Sequence, residues 1–206
     1  MNVDNPPIYT VGHSNHEIDV FLGLLKQHDI TALADVRSSP YSRMNTQFNR
    51  ENLKRSLTEA GIDYVFMGEE LGARTQDESC YKGGKMNFDL RAKTEQFQSG
   101  VERLASGRAT RRIAIMCAEK EPLSCHRTIL VARALDEKGI PVQHILEDGS
   151  LEPHREALVR LREMFKLPEA DLIHTPEEMI DEAYFRQAEK IAYRGEEEEE
   201  VPTHIL

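Results

Sequence analysis

Residues 111–127 read RRIAIMCAEKEPLSCHR, and the architecture follows from them. Residues 111–116 are a compact apolar run, the signature of a buried strand, and the run stops at Cys117. A polar, proline-containing loop follows over 118–124. Cys125, His126 and Arg127 then lead into an apolar-periodic segment, 128–135. The order strand, loop, helix puts a thiol at the carboxyl end of a strand, where ligands bind in open α/β sheets. The helix start adds backbone N–H donors and a positive dipole end, which favour an anion or a thiolate. Whatever chemistry the chain performs is expected here.

The same alternation extends in both directions. Residues 8–11 form a short β-branched and aromatic run that breaks at Gly12, and 30–36 (ITALADV) read as a second strand. Between them Ile18, Phe21, Leu22, Leu24 and Leu25 follow helical spacing, with Ser14 or Asn15 as cap. Asn49 caps a helix over 50–60 that Gly61 terminates, and 64–67 make a third strand. Residues 68–87 are polar and glycine-rich, a long connection of the kind that is either a functional lid or unstructured. Leu90, Phe97, Val101 and Leu104 predict one helix over 88–105; a helix over 125–138 ends at Gly139, and 142–146 form a fifth strand. Short strands separated by helices define an α/β fold in three layers, with a mostly parallel sheet of about five strands and helices on both faces. After Gly149 the pattern changes to two helices, 152–164 and 176–193. The expected organisation is a core over 1–150, a C-terminal helical extension over 151–195 and an acidic tail over 196–206.

The 206 residues, 39% hydrophobic and 30% charged, suffice for one domain with a full core. No run is long enough to span a membrane, and the first residues lack a secretory pattern. Three cysteines, an odd number, fit a reducing compartment, so the expected location is the cytoplasm. A net charge of −10 argues against a broad nucleic-acid footprint. It leaves room for a local basic cleft, because Arg37, Arg43, Arg50, Lys54 and Arg55 share one short segment with a single acid, Glu51.

A parallel sheet would gather several polar groups at its strand ends: His13 and Ser14 after the first strand, Arg37 and Ser38 after the second, and Cys117 and Glu119 after the fourth, facing Cys125, His126 and Arg127. Cys117 is the candidate nucleophile, because a helix start with Arg127 or His126 lowers a thiol pKa; the competing reading is a small buried core residue. Cys125 is read as facing the core. His13 and Glu119 are candidate proton-transfer groups. Arg37, Arg43 and Arg127, with Ser38 and Ser14, are candidate anion-binding groups, and Arg37 is expected to be replaceable with little loss of fold. Asp35, an acid inside an apolar run, needs a partner if buried. His13, Cys117, Cys125 and His126 have metal-ligand chemistry. But seven residues separate Cys117 from Cys125, no CxxC is present, and adjacent Cys125 and His126 would diverge on a helix. No metal is therefore assigned and no cofactor is named.

Four elements, YTVGHSN at 9–15, ADVRSSPYSRMNTQFNRENL at 34–53, GEELGAR at 68–74 and MCAEKEPLSCHR at 116–127, together resemble the family catalogued as domain of unknown function 488. They occur in the family's order and cover about 8–149. The resemblance implies an α/β fold and a cluster of polar motif residues, but no established reaction. A weaker similarity is to rhodanese-like sulfurtransferases, through Asp35–Val36–Arg37 and the cysteine loop; this loop is longer and carries Glu119 and Glu121, which oppose an anion.

The expected function is binding of a small anionic ligand, a nucleotide or nucleic-acid fragment, and action on it. The alternatives are a thiol-dependent sulfurtransferase-like or phosphatase-like enzyme using Cys117, and a non-catalytic binding or regulatory module. The C-terminal helices carry apolar stripes (Leu158, Leu161 and Phe165; Met179, Ile180, Ala183 and Tyr184), so they are expected to dock on the core or on a second copy of the chain.

Overall fold

The computed structural model of the protein describes residues 5–194. The chain runs β1 (Ile8–Gly12), α1 (Ile18–Gln27), β2 (Ala32–Asp35), α2 (Arg50–Glu59), β3 (Asp63–Phe66) and a one-turn helix α3 (Gly68–Leu71). A small antiparallel hairpin, β4 (Tyr81–Lys82) and β5 (Lys85–Met86), precedes α4 (Phe88–Ala92) and α5 (Glu95–Gly107). Then come β6 (Ile113–Cys117), a π-helical segment Arg127–Ala132 that continues into α6 (Arg133–Glu137), β7 (Val142–Ile145) and β8 (Leu151–Pro153). Two helices, α7 (His154–Met164) and α8 (Pro176–Ile191), follow.

The central sheet has the order β3-β2-β6-β1-β7-β8. Every pairing is parallel except β7 with β8. Side-chain alternation along the strands divides the core in two. Ala114 and Met116 of β6 face α1 and α2, packing with Phe21, Leu25, Leu53 and Leu57. Ile113, Ile115 and Cys117 face the other layer, where Phe97, Val101, Leu130, Leu161 and Tyr184 cover them. The two C-terminal helices thus pack on the α/β body as part of the same hydrophobic core. A buried polar chain reinforces this. Thr10 Oγ1 pairs with His144 Nδ1 at 2.8 Å, His144 Nε2 with His154 Nδ1 at 2.9 Å, and His154 Nε2 with the Tyr184 hydroxyl at 2.8 Å.

Three expectations change. The sheet expected to have about five strands has six, because Leu151–Pro153 adds an antiparallel edge strand where a helix start was expected; proline is tolerated at such an edge. The helix expected over 88–105 is two helices. Thr94 caps the second, its Oγ1 accepting from the Phe97 N–H at 3.2 Å. The 68–87 connection is not structureless: it holds α3 and the β4–β5 hairpin. Arg91, fully buried, organises this segment by donating through Nη2 to the carbonyls of Glu69 and Glu70, both at 2.8 Å. The acidic tail lies outside the described residues, and among those described no helix is long and apolar enough to cross a membrane.

Candidate functional site

Because β1, β2 and β6 are adjacent and parallel, their carboxyl ends meet at one edge of the sheet. The ladder continues just past them: the His13 N–H donates to the Cys117 carbonyl and the Ser14 N–H to that of Ala118, each at 2.9 Å. Gly12 is needed for this close approach, since a Cβ there would run into the Glu119 carbonyl.

Asp35 and Arg37 form a buried two-pronged ion pair, Nε–Oδ1 at 2.9 Å and Nη2–Oδ2 at 2.7 Å. Asp35 also accepts from the Tyr64 hydroxyl at 2.8 Å, and Arg37 donates to the Phe48 carbonyl at 2.9 Å. Arg37 is therefore structural as well as a cleft residue, and its replacement is not expected to spare the fold. His13 stacks on Phe48 with ring centroids 4.3 Å apart. Its Nδ1–H donates to the Ser14 carbonyl at 2.8 Å, and its Nε2 accepts from Arg37 Nη1 at 3.2 Å. Burial, then the Arg37 charge, pull its pKa down to about 4. His13 is thus a neutral ring with both nitrogens engaged, placed to orient Arg37.

Beside this lies a second group. Cys125 is in extended conformation, φ −130° and ψ 141°, and the π-helical turns begin only at Arg127. Neighbouring Cys125 and His126 therefore do not diverge as they would on a regular helix; this corrects the expectation from sequence. His126 Nδ1 is 3.6 Å from Cys117 Sγ and 3.9 Å from Cys125 Sγ. Its Nε2–H donates to the Val36 carbonyl at 3.0 Å. Cys125 Sγ also lies 3.0 Å from Glu119 Oε2 and accepts from the Arg127 N–H at 3.4 Å. The surroundings separate the two thiols. The hydrogen bond to Cys125, together with burial, drives the Cys117 thiol well up. Burial pushes Cys125 the same way but is outweighed by the Cys117 hydrogen bond and by the charges of Arg127 and His126, which bring it well down. Burial raises Glu119. For His126 burial acts downward, and the Cys125 interactions more than reverse it. Electrostatics thus favour ionisation of Cys125, the thiol that sequence reading placed in the core, over Cys117.

A cleft of about 560 Å³ opens over this group, with Cys117, Glu119 and His126 on its floor and Arg37, Ser38 and Arg74 among its walls. Clefts of similar size lie elsewhere, one of about 610 Å³ beside α8, but the thiol–imidazole group borders this one. Of the residues expected at the site, Cys117, Glu119, Arg37 and Ser38 converge on the cleft. Arg127 lies beneath it, donating its guanidinium to the Glu119 and Lys120 carbonyls and so bracing the loop. Ser14 bonds to Asn15 at 3.2 Å outside the cleft lining, and Arg43 is exposed beyond it. The residue sequence reading passed over is Arg74. Its N–H donates to Ser38 Oγ at 2.9 Å, and its guanidinium lies 4.2 Å over the Tyr193 ring. Its signal was available in the GEELGAR element, which ends on it.

Fold and site together define a mostly parallel α/β protein with a thiol–imidazole–carboxyl group at the carboxyl edge of its sheet. The model of one family, Domain of unknown function DUF488, matches residues 17–134, and the chain belongs to that family. The match includes β2, the Arg74 segment and the whole cysteine loop, and begins after the Gly12–Asn15 turn. No curated protein and no solved structure matches the chain.

Proposed function

We propose that the protein binds a small anionic ligand, a nucleotide or nucleic-acid fragment, in this cleft and acts on it with the group on the cleft floor. One observation carries the reading: the cleft joins an exposed cation to a set of reactive side chains. Arg74 has no ion pair among the described residues, whereas Arg37 is neutralised by Asp35. The hydroxyls of Ser38 and Ser39 and the rings of Tyr41 and Tyr193 line the same space. A guanidinium with hydroxyls suits a phosphate, and aromatic walls suit a base. A charge-assisted contact contributes about 1.5–3 kcal/mol, so loss of Arg74 corresponds to about a tenfold or greater drop in affinity.

The test is calorimetric titration of inorganic phosphate and a nucleoside monophosphate into the full chain. Saturable binding that Arg74→Ala weakens about tenfold, and that Arg43→Ala leaves unchanged, supports the reading. Absence of binding by both probes, or equal affinity in Arg74→Ala, overturns it.

A further inference from the structure

We propose that Cys117, Cys125 and His126 form a zinc site with three protein donors, its fourth position open to the cleft. The site stands on its own geometry; only its use on a bound anion rests on the function proposed above.

The observation that carries it is the convergence of two sulfurs and one ring nitrogen on a single buried point. With Nε2–H committed to the Val36 carbonyl, Nδ1 is the ring nitrogen that faces the two sulfurs, at 3.6 and 3.9 Å. Sulfur is a weak hydrogen-bond partner, and neither contact, at 3.6 or 3.9 Å, is a short one. A metal ion is a strong one. Fixing the outer ring nitrogen on a backbone carbonyl is also how ligating histidines are ordinarily oriented.

The spacing fits one ion. Zn–S bonds of about 2.3 Å and Zn–N bonds of about 2.0–2.1 Å in a tetrahedron leave sulfur and nitrogen about 3.6 Å apart. The three donor atoms here lie within 4.8 Å of one another, with sulfur–nitrogen separations of 3.6 and 3.9 Å, one at that edge and one slightly longer. Two soft thiolates and an imidazole select zinc over magnesium or calcium, which take oxygen. The Arg127 N–H on Cys125 Sγ supports the same sulfur from behind. Metal binding would deprotonate both thiols, and the cation would offset the cost of burying two thiolates.

Three ligands leave one position. Cys117 and His126 border the cleft while Cys125 lies behind them, so the remaining vertex faces the ligand space. Glu119 stands beside it, the one carboxylate lining the cleft among the described residues. Its place suits a proton acceptor for a metal-bound water better than a fourth permanent ligand. Sequence spacing concealed this arrangement, because the loop turns back on itself at Pro122–Ser124 to return Cys125 beneath Cys117.

The experiment uses the full reduced chain, stripped with a chelator and titrated with Co²⁺ and then Zn²⁺. The expected result is one equivalent of Co²⁺ giving thiolate charge-transfer and tetrahedral d–d absorption, displaced by Zn²⁺. Cys125→Ser and His126→Gln, checked for fold by circular dichroism, lose more affinity than the roughly 10–100-fold that outer-shell changes cost. Cys80→Ser, whose sulfur is not among the three donors, binds as wild type, which keeps the test readable if a cluster variant misfolds. Glu119→Gln retains stoichiometric binding within about threefold. No thiolate–metal band in the folded wild-type chain overturns the site, and a Glu119→Gln loss as large as that of Cys125→Ser overturns the open position. Phosphate binding is measured separately on the zinc-free chain, so failure of the metal site and failure of the anion cleft are distinguishable.

Discussion

His126 Nε2 lies 3.0 Å from the carbonyl oxygen of Val36, tying the residue before the π-helical segment to the chain leaving β2. That bond sets which nitrogen of the ring faces the two thiols. It also satisfies a carbonyl at the exit of a buried strand. In metal-free protein His126→Ala leaves that carbonyl without a donor and is expected to cost about 1–3 kcal/mol. Urea unfolding measures it. A change below a few tenths of a kcal/mol would show that the bond is dispensable.

The Asp35–Arg37 pair gives a larger effect. Both side chains are buried, with relative exposures of 0% and 6%. Removing either partner strands the other charge in the core. Asp35→Ala and Arg37→Ala are each expected to destabilise by about 3–5 kcal/mol, measured by thermal or urea melts. Arg37→Ala at wild-type stability would mean that the pair forms no essential part of the fold.

Gly12 touches the loop that carries Glu119. A methyl group at that position has to displace backbone, so Gly12→Ala is expected to cost about 1–3 kcal/mol by overpacking. It is also expected to alter alkylation rates of Cys117, since the Cys117 carbonyl is bonded to the His13 N–H. Unaltered stability and thiol reactivity would contradict the close approach.

Acid should loosen the C-terminal helices. Burial, and for His144 the neighbouring His154, hold both rings neutral; His144 is driven well down and His154 to about 4. Between the ordinary histidine pKa of about 6.5 and these values the unfolded chain binds protons that the folded chain does not. Stability is therefore fully present above about pH 6.5 and falls as pH drops, by up to about 1.4 kcal/mol per pH unit for each histidine. Urea titrations at pH 7, 6 and 5 measure the slope. A flat profile across this range would contradict the neutral chain from Thr10 to Tyr184.

Much of the sheet was legible because its strands are short apolar runs punctuated by Gly12, Gly61 and Gly139, and the last two sit at positive φ where a helix ends. Leu151–Pro153 was not legible: three residues including a proline carry no strand period. The strand-end cluster was legible in outline, since Cys117 and Glu119 directly leave β6. The convergence of Cys125 with His126 was hidden. A regular helix from Cys125 would turn its neighbour about 100° away, and nothing in the composition announces an extended residue followed by π-helical turns. Arg91 was obscured for another reason. The carbonyls of Glu69 and Glu70 that it holds come from a segment distant in sequence, so no charge pattern marks it.

Anion binding in the cleft is tested by mapping where the ligand contacts the chain. Backbone amide shifts of the ¹⁵N-labelled full chain would be followed during titration with a nucleoside monophosphate. Cleft binding predicts saturable shifts concentrated at 37–39, 73–74, 117–119 and 124–126. Shifts confined to the α7–α8 surface, or none at saturating ligand, would contradict it.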